Sequence, residues 1–223
     1  MAYFFDTNIC IGYTFMWDPW HEKSLKSFTT NETLYWSKTV KDESKKKHLF
    51  FIKKYKNFLN KIIWELTFNS KSKLLNKQDI LNIIMKYFHN DKNINNLKNS
   101  IKQIWNEHNL KENNENKELI LSIFKNLIMG FEYLSENRRK QFEKLVILKN
   151  RDKNYPEVLN NLKNNAKKYK LKCHYPDDEI ILDAHHISLL IKDYLNFLTS
   201  DKSITIYGKN MTNINSFIYL KDL

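Results

Sequence analysis

The sequence predicts an α/β fold in which a central parallel sheet is flanked by helices and a large all-helical insertion interrupts the alternation. Short apolar runs that end in polar residues alternate with helical patterns near both ends of the chain. The middle of the chain, from about residue 68 to 168, carries helical patterns only. With 3 Gly and 3 Pro in 223 residues, the chain also lacks the many tight turns of an all-β sandwich. Alternating strands and helices favour a parallel, doubly wound sheet.

Five short apolar runs are interpreted as strands, because runs of this length bounded by polar turn residues suit strands that are buried on both faces. These runs are residues 2–5, 33–36, 170–173, 194–198 and 216–220. Between them, apolar residues recur at helical spacing. The predicted helices begin at Ile9 and Thr39 and otherwise cover residues 80–87, 94–104, 120–134 and 177–191. We therefore expect a single domain over residues 1–223, with the helical insertion at about 68–168 inside it.

The chain is strongly basic, with 37 Lys and Arg against 25 Asp and Glu and a formal net charge of +12. Such a charge attracts polyanions, of which nucleic acid is the commonest and an anionic membrane surface is the rival. AT-rich coding DNA is another source of abundant lysine and asparagine. The two cysteines, Cys10 and Cys173, are too few for a disulfide framework and are expected to be reduced. Without a signal peptide or a membrane span, the expected location is cytoplasmic and no membrane association is predicted.

Carboxylates follow the predicted strands at the edge of the sheet where ligands bind in open α/β folds. They are Asp6, Glu43, the pair Asp177 and Asp178, and Asp201. Two carboxylates about 5 Å apart repel by roughly 3 kcal/mol at an effective dielectric constant near 20. A bound divalent cation relieves that repulsion, and an all-oxygen ligand set suits Mg²⁺ or Mn²⁺. Taken singly, each aspartate is also a candidate helix cap, and Glu43 a candidate solvated side chain.

Four segments carry a resemblance to PIN-domain nucleases. Phe4-Phe5-Asp6-Thr7-Asn8 resembles the opening motif of that family, and Phe197-Leu198-Thr199-Ser200-Asp201 resembles its fourth motif. The segments 37–43, which ends at Glu43, and 177–184 are similar to the second and third motifs. The resemblance covers residues 1 to about 45 and 170 to 223.

The resemblance implies a PIN-like three-layer fold and a metal-dependent endoribonuclease, either a toxin of the VapC type or an RNA-processing or defence nuclease. It implies that Asp6, Glu43, Asp177 (or its neighbour Asp178) and Asp201 bind one or two Mg²⁺ or Mn²⁺ ions. Three polar residues would orient the carboxylates or the attacking water, namely Thr7, Asn8 and Thr199. RNA is the implied substrate, and an antitoxin-like protein partner and a homodimer are further implied possibilities.

Departures from the family pattern keep alternatives open. The stretch between Glu43 and Asp177 is much longer than in small PIN toxins, and Asp183 lies on the third-motif helix but is predicted to face a different side. The chief alternative is a catalytically silent PIN scaffold that binds RNA or protein. A haloacid-dehalogenase-like phosphatase is disfavoured because position 8 is Asn where that chemistry needs Asp. His185 and His186 are more typical of core or surface histidines than of catalytic ones.

Overall fold

The computed structural model describes residues 1–29, 31–91, 94–173 and 175–223. The chain divides into two compact units. The first unit comprises residues 1–16, 20–48 and 137–223, and the second comprises residues 17–19 and 49–136. Residues 137–168, which the sequence predicts to lie in the helical insertion, belong to the first unit.

The helices and strands follow one another along the chain in the order below. They are β1 (Ala2–Phe5), α1 (Thr7–Thr14), α2 (His21–Lys26), β2 (Thr33–Trp36), α3 (Lys38–Phe68), β3 (Leu74–Leu75), α4 (Lys77–Phe88), α5 (Ile94–Glu107), β4 (Glu115–Asn116), α6 (Lys117–Leu145), β5 (Ile147–Leu148), α7 (Pro156–Lys168), α8 (Asp177–Leu190), β6 (Leu195–Thr199), α9 (Lys202–Tyr207) and β7 (Ser216–Tyr219). A 3₁₀ turn over Leu220–Asp222 follows β7.

The first unit is built on a five-stranded sheet with the order β5-β2-β1-β6-β7. Every neighbouring pair in it is parallel, which confirms the predicted parallel sheet flanked by helices. β1 lies at the centre, where Phe4 pairs with Tyr35 of β2 and with Phe197 of β6. The carboxyl ends of β1, β2 and β6 therefore lie at one edge, and that edge carries the candidate site.

An aromatic cluster fills the core of the first unit around Phe142 of α6, which is fully buried. The ring of Phe142 lies 5.1 Å from that of Trp36 and 5.4 Å from that of Phe28, measured between centroids. The rings of Phe5 and Tyr13 also contact it, at 6.2 and 5.7 Å. These contacts attach the final turns of α6 to strands β1 and β2 through apolar burial.

Two parts of the predicted secondary structure are wrong. The segment 170–173 is not a strand: Lys170 takes a left-handed conformation with φ of 57°, and the amide of Leu171 donates to the carbonyl of Ala166 at 2.8 Å. The segment therefore follows α7 and closes its last turn. The fifth strand of the parallel sheet is instead β5, which pairs with β2. The middle block is not entirely helical either, because β3 and β4 pair antiparallel within it.

The second unit is mainly helical. The apolar residues that recur at helical spacing on α4 and α5 are buried in this unit, including Ile80, Ile84, Ile101 and Ile104. Asn76 and Asp79 form a capping box that begins α4. No helix in the described ranges of the chain is both long enough and apolar enough to cross a membrane. Both cysteines are free thiols, and burial raises the pKa of Cys10 to about 12, so this thiol belongs to the core.

Candidate functional site

Asp6 follows the central strand β1 directly and caps helix α1. Its side chain is only 3% exposed. One carboxylate oxygen, Oδ1, accepts from the amide of Thr7 at 2.5 Å. The other, Oδ2, accepts from the hydroxyl of Thr199 at 2.7 Å and from the side-chain amide of Asn8 at 3.4 Å. Three donors from two neighbouring strand ends therefore hold this buried carboxylate in one orientation.

A closed ring of polar contacts connects Asp6 to helix α3. The hydroxyl of Thr7 donates to Oε2 of Glu43, whose Oε1 lies 2.9 Å from the ammonium of Lys47. Lys47 in turn donates to Oδ1 of Asn8 at 3.3 Å, and the side-chain amide nitrogen of Asn8 donates to Asp6, which closes the ring. We call these five residues, Asp6, Thr7, Asn8, Glu43 and Lys47, the carboxylate network. Glu43, for which the sequence leaves a solvated side chain as an alternative, is thus in direct contact with Thr7 of the first motif.

The pKa of Asp6 reports the electrostatics of this network. Burial raises it from 3.8 to about 6, while the hydrogen bond from Thr199 and the charge of Lys47 oppose that rise. The charges of Glu43 and Asp177 raise it further. Glu43 and Asp177, two of the carboxylates predicted to share a site with Asp6, therefore both lie within electrostatic range of it. Lys47 supplies a positive charge that favours the ionised form of Asp6.

Asp201 reaches the same edge from the end of β6. Its amide donates to the hydroxyl of Thr199 at 2.9 Å, and its Oδ1 accepts from the amide of Ser203 at 2.7 Å, so it caps the short helix α9. Thr199 links it to Asp6, because the same hydroxyl donates to that carboxylate. The charges of Asp177 and Asp201 both raise the pKa of the buried phenol of Tyr207, after the larger effects of burial and of Cys173. Tyr207 thus lies within electrostatic range of both aspartates.

The adjacent pair Asp177 and Asp178 separates in the structure. Asp177 is the first residue of α8 and acts electrostatically on Asp6. Asp178 is buried, and its Oδ1 accepts from the amide of Glu179 at 3.0 Å. The structure therefore brings Asp177 toward the carboxylate network, and it gives Asp178 a local role at the beginning of the helix.

Asp183 binds a second set of partners on the same helix. It is 4% exposed and accepts from the hydroxyl of Thr39 at 2.7 Å and from Nε of Arg151 at 2.9 Å. Another guanidinium nitrogen of Arg151 contacts Glu179 one turn earlier. A buried ion pair with several hydrogen bonds fixes geometry more than it adds stability. Asp183 therefore joins the start of α3 to the loop that contains Arg151.

The described residues offer carboxylate oxygens for a divalent cation but no complete set of protein ligands. Among the side chains that the structure describes, no three His, Cys, Asp or Glu groups converge on a single point as a ready-made metal site. Mg²⁺ needs less than that, because it is commonly held by one or two carboxylates together with water and substrate phosphates. Asp6 with Glu43, or Asp6 with Asp177, offers such an oxygen-only pair. These oxygen donors are of the kind that Mg²⁺ and Mn²⁺ prefer, and none of them is a thiolate that would favour zinc.

Comparison of the chain with protein-family models, with curated proteins and with solved structures finds no significant match.

Two residues of the site were not predicted. Lys47 was not among the predicted site residues, although its position four residues after Glu43 is the spacing of a helical ion pair. Arg151 was not predicted either, although it is one of only three arginines in a chain rich in lysine. Its planar fork suits two carboxylates at once, which a lysine cannot match. Residue type and spacing were therefore usable signals in both cases.

Proposed function

We propose that this chain is a metal-dependent endoribonuclease with a PIN-like fold, hydrolysing RNA phosphodiester bonds with Mg²⁺ or Mn²⁺. The observation that carries the proposal is the buried carboxylate of Asp6, which lies at the carboxyl end of the central strand with Glu43 and Asp177 in electrostatic range. A strongly shifted carboxyl group surrounded by others at a sheet edge is typical of a functional site.

The residues divide into holding and positioning roles under this proposal. Asp6 and Glu43, with Asp177 and Asp201 beside them, would hold the cation. Bound there, a divalent ion supplies a water of lowered pKa and charge stabilisation for the phosphodiester. The contacts of the structure support the positioning roles directly: Thr7 joins Asp6 to Glu43, and Thr199 joins Asp6 to Asp201. Asn8 orients Asp6 and Lys47 through its two amide atoms.

RNA is the proposed substrate because the net charge of +12 favours a polyanion and the family resemblance favours RNA over DNA. We extend the proposal to a cytoplasmic location. An antitoxin-like protein or a second copy of the chain is the partner that a toxin of this family would have. The substrate, location and partner are proposed from the resemblance and from composition, and each can be tested separately from metal-dependent hydrolysis at Asp6.

A second candidate function is a catalytically silent scaffold that binds RNA or protein. Two observations favour it: the ammonium of Lys47 already neutralises Glu43 inside the network, and no three carboxylates converge within the described residues. In this alternative the network is a polar connection between α1 and α3. RNA would then bind without being cleaved.

The deciding experiment incubates the protein with single-stranded RNA and Mg²⁺ or Mn²⁺, with and without EDTA. Asp6→Asn is compared with wild type, and Asp193→Asn is the matched control because Asp193 is an exposed carboxylate away from the network. Cleavage that needs metal, is lost in Asp6→Asn and survives in Asp193→Asn supports the nuclease. Equal RNA binding without cleavage in all three proteins supports the silent scaffold. Cleavage that EDTA leaves unchanged contradicts the metal requirement.

A further inference from the structure

A cavity of about 610 Å³ opens beside Glu43 in the first unit. Its walls are the first turns of α3, the loop from Asn150 to Asn154, the segment Tyr175–Pro176 and the side chain of Asp183. Its volume is that of a pocket for a small organic ligand and lies far below the space that a nucleic acid duplex occupies. Because Glu43 belongs both to the cavity wall and to the carboxylate network, whatever fills the cavity lies next to the candidate catalytic carboxylates.

The loop wall of the cavity is held in place on both sides. The amide of Lys149 donates to the carbonyl of Trp36 at 3.0 Å, and the side chain of Asn150 accepts from the amide of Lys38 at 3.2 Å. Arg151 is bound by Asp183 and Glu179, as described above. These contacts give the wall a defined shape before any ligand arrives, which reduces the entropy lost on binding.

His186 holds the far end of the same loop. It is 2% exposed, its Nδ1 lies 2.7 Å from the hydroxyl of Tyr155, and its Nε2 lies 3.2 Å from Oδ1 of Asp152. The neighbouring His185 contacts the ring of Tyr155 edge-on and accepts from the amide of Asn213. The two histidines thus support the cavity wall, which is a positioning role.

Three lysine ammonium groups at the cavity make no ion pair with any residue that the structure describes. They are those of Lys38, Lys46 and Lys153. The acidic groups Glu43 and Asp183 are paired with Lys47 and Arg151. Two further carboxylates line the cavity, those of Asp42 and Asp152, and Asp152 lies 3.2 Å from Nε2 of His186. The three lysines therefore outnumber the two carboxylates that no lysine or arginine neutralises, and they are available to bind an anion such as a phosphate.

Tyr175 provides an aromatic surface on the same cavity. Tyr175 is 72% exposed, so its ring is accessible to a ligand in the cavity. An exposed aromatic ring beside free lysines is the combination that binds single-stranded nucleic acid, where bases stack on the ring and lysines follow the backbone. A base in a duplex is already stacked and paired, so this surface favours an unpaired nucleotide.

We propose that this cavity binds one nucleotide of single-stranded RNA, with the phosphate at Lys46 and Lys153 and the base against Tyr175. The next phosphodiester then lies toward Glu43, so the cavity sets which bond reaches the carboxylate network. The proposal rests on the proposed function for the choice of RNA. A single strand of DNA offers the same phosphate and base, and the experiment separates the two sources.

The test measures binding alone, in EDTA, by fluorescence anisotropy of a labelled oligonucleotide of about eight nucleotides. The cavity variant is the double substitution Lys46→Ala/Lys153→Ala. Its matched control is Lys167→Ala/Lys192→Ala, which removes the same charge from exposed lysines outside the cavity. We expect the cavity variant to lose at least about tenfold in affinity and the control less than about twofold, because only the former loses phosphate contacts. The slope of log affinity against log salt should fall by about 1.4 in the cavity variant.

Tyr175 gives an independent readout. Tyr175→Ala should weaken binding about fivefold or more, and Tyr175→Phe should keep the wild-type affinity, because stacking needs the ring and not the hydroxyl. Circular dichroism and melting of each variant confirm that it is folded. Equal losses in the cavity and control doubles, or wild-type affinity in Tyr175→Ala, would overturn the site. Tighter binding of the deoxy oligonucleotide of the same sequence would overturn RNA as the source.

Binding and cleavage fail separately in this design. If RNA binds through the cavity but is not cut with any divalent metal, the cavity inference holds and the nuclease proposal fails. If metal-dependent cleavage occurs and the cavity variant binds and cleaves like its control, the nuclease holds and the cavity inference fails.

Discussion

Replacing Asp6 with asparagine should move activity and stability in opposite directions. Asparagine keeps the helix cap and one acceptor oxygen, because Asn and Asp are equivalent N-cap residues. It removes the negative charge on which metal binding depends, so cleavage should be abolished. It also removes a buried charge, so the folded protein without metal should become more stable at neutral pH.

The magnitude follows from the pKa of Asp6. A rise from 3.8 in the unfolded chain to about 6 in the folded protein corresponds to about 3 kcal/mol of destabilisation once the group is ionised in both states. The destabilisation is absent below about pH 4, where the carboxyl group is protonated in both states. It develops as the pH rises through 4 to 6 and is complete above 6. Since asparagine replaces one acceptor by a donor facing Thr199, we expect a net gain of about 1–3 kcal/mol at pH 8.

The assay is urea unfolding followed by circular dichroism at pH 4 and pH 8, in EDTA, for wild type, Asp6→Asn and Asp193→Asn. Asp6→Asn should exceed wild type at pH 8 and lose most or all of that advantage at pH 4, while the exposed control matches wild type at both pH values. Adding Mg²⁺ should then raise the stability of wild type alone. A variant that is no more stable than wild type at pH 8, or a gain equal at both pH values, would refute the electrostatic reasoning.

Three further predictions address the supports of the site. Thr199→Val removes the hydroxyl that donates to Asp6, so the acid limb of the cleavage profile should move up by about one pH unit; an unchanged profile would count against that role. Phe142→Ala should lower the free energy of unfolding by about 3–5 kcal/mol in urea, since this ring is fully buried; a loss below 1 kcal/mol would contradict its central place in the core. Lys47→Met should raise Mn²⁺ affinity about fivefold, measured by electron paramagnetic resonance, because its ammonium competes at Glu43; equal affinities would show that Lys47 does not compete.

The strand ends were predictable because they obey a local rule. β1 and β6 are apolar on both faces and stop at polar residues, so a single sequence is enough to locate Asp6 and Thr199 at one sheet edge. The structure brings these two side chains into a hydrogen bond. The stripes on α3 to α6 were predictable for the same reason, since helical spacing of apolar residues is visible without any tertiary information.

Contacts that join distant segments were not predictable from the sequence. β5 lies in the apolar run 145–148, which continues directly from helix α6, so the sequence alone does not separate the strand from the helix, and only its pairing with β2 makes it a strand. Helical spacing predicted that Asp183 and Asp177 face different sides of the same helix, but it gives no information about which residues of other segments they contact. Its partners Thr39 and Arg151 come from segments 144 and 32 residues away, which helical spacing cannot reveal.

The choice between a nuclease and a silent scaffold depends on the energetics of Asp6 more than on the motif that contains it. Burial keeps its pKa near 6 even though Thr199 donates to it and Lys47 lies in the same network. One ammonium group therefore leaves the carboxylates of Asp6 and Glu43 incompletely compensated. A purely structural connection between α1 and α3 would be served as well by apolar side chains of similar size, which carry no desolvation penalty. A destabilising buried charge that is held by three donors is more typical of a site that needs the charge to bind something.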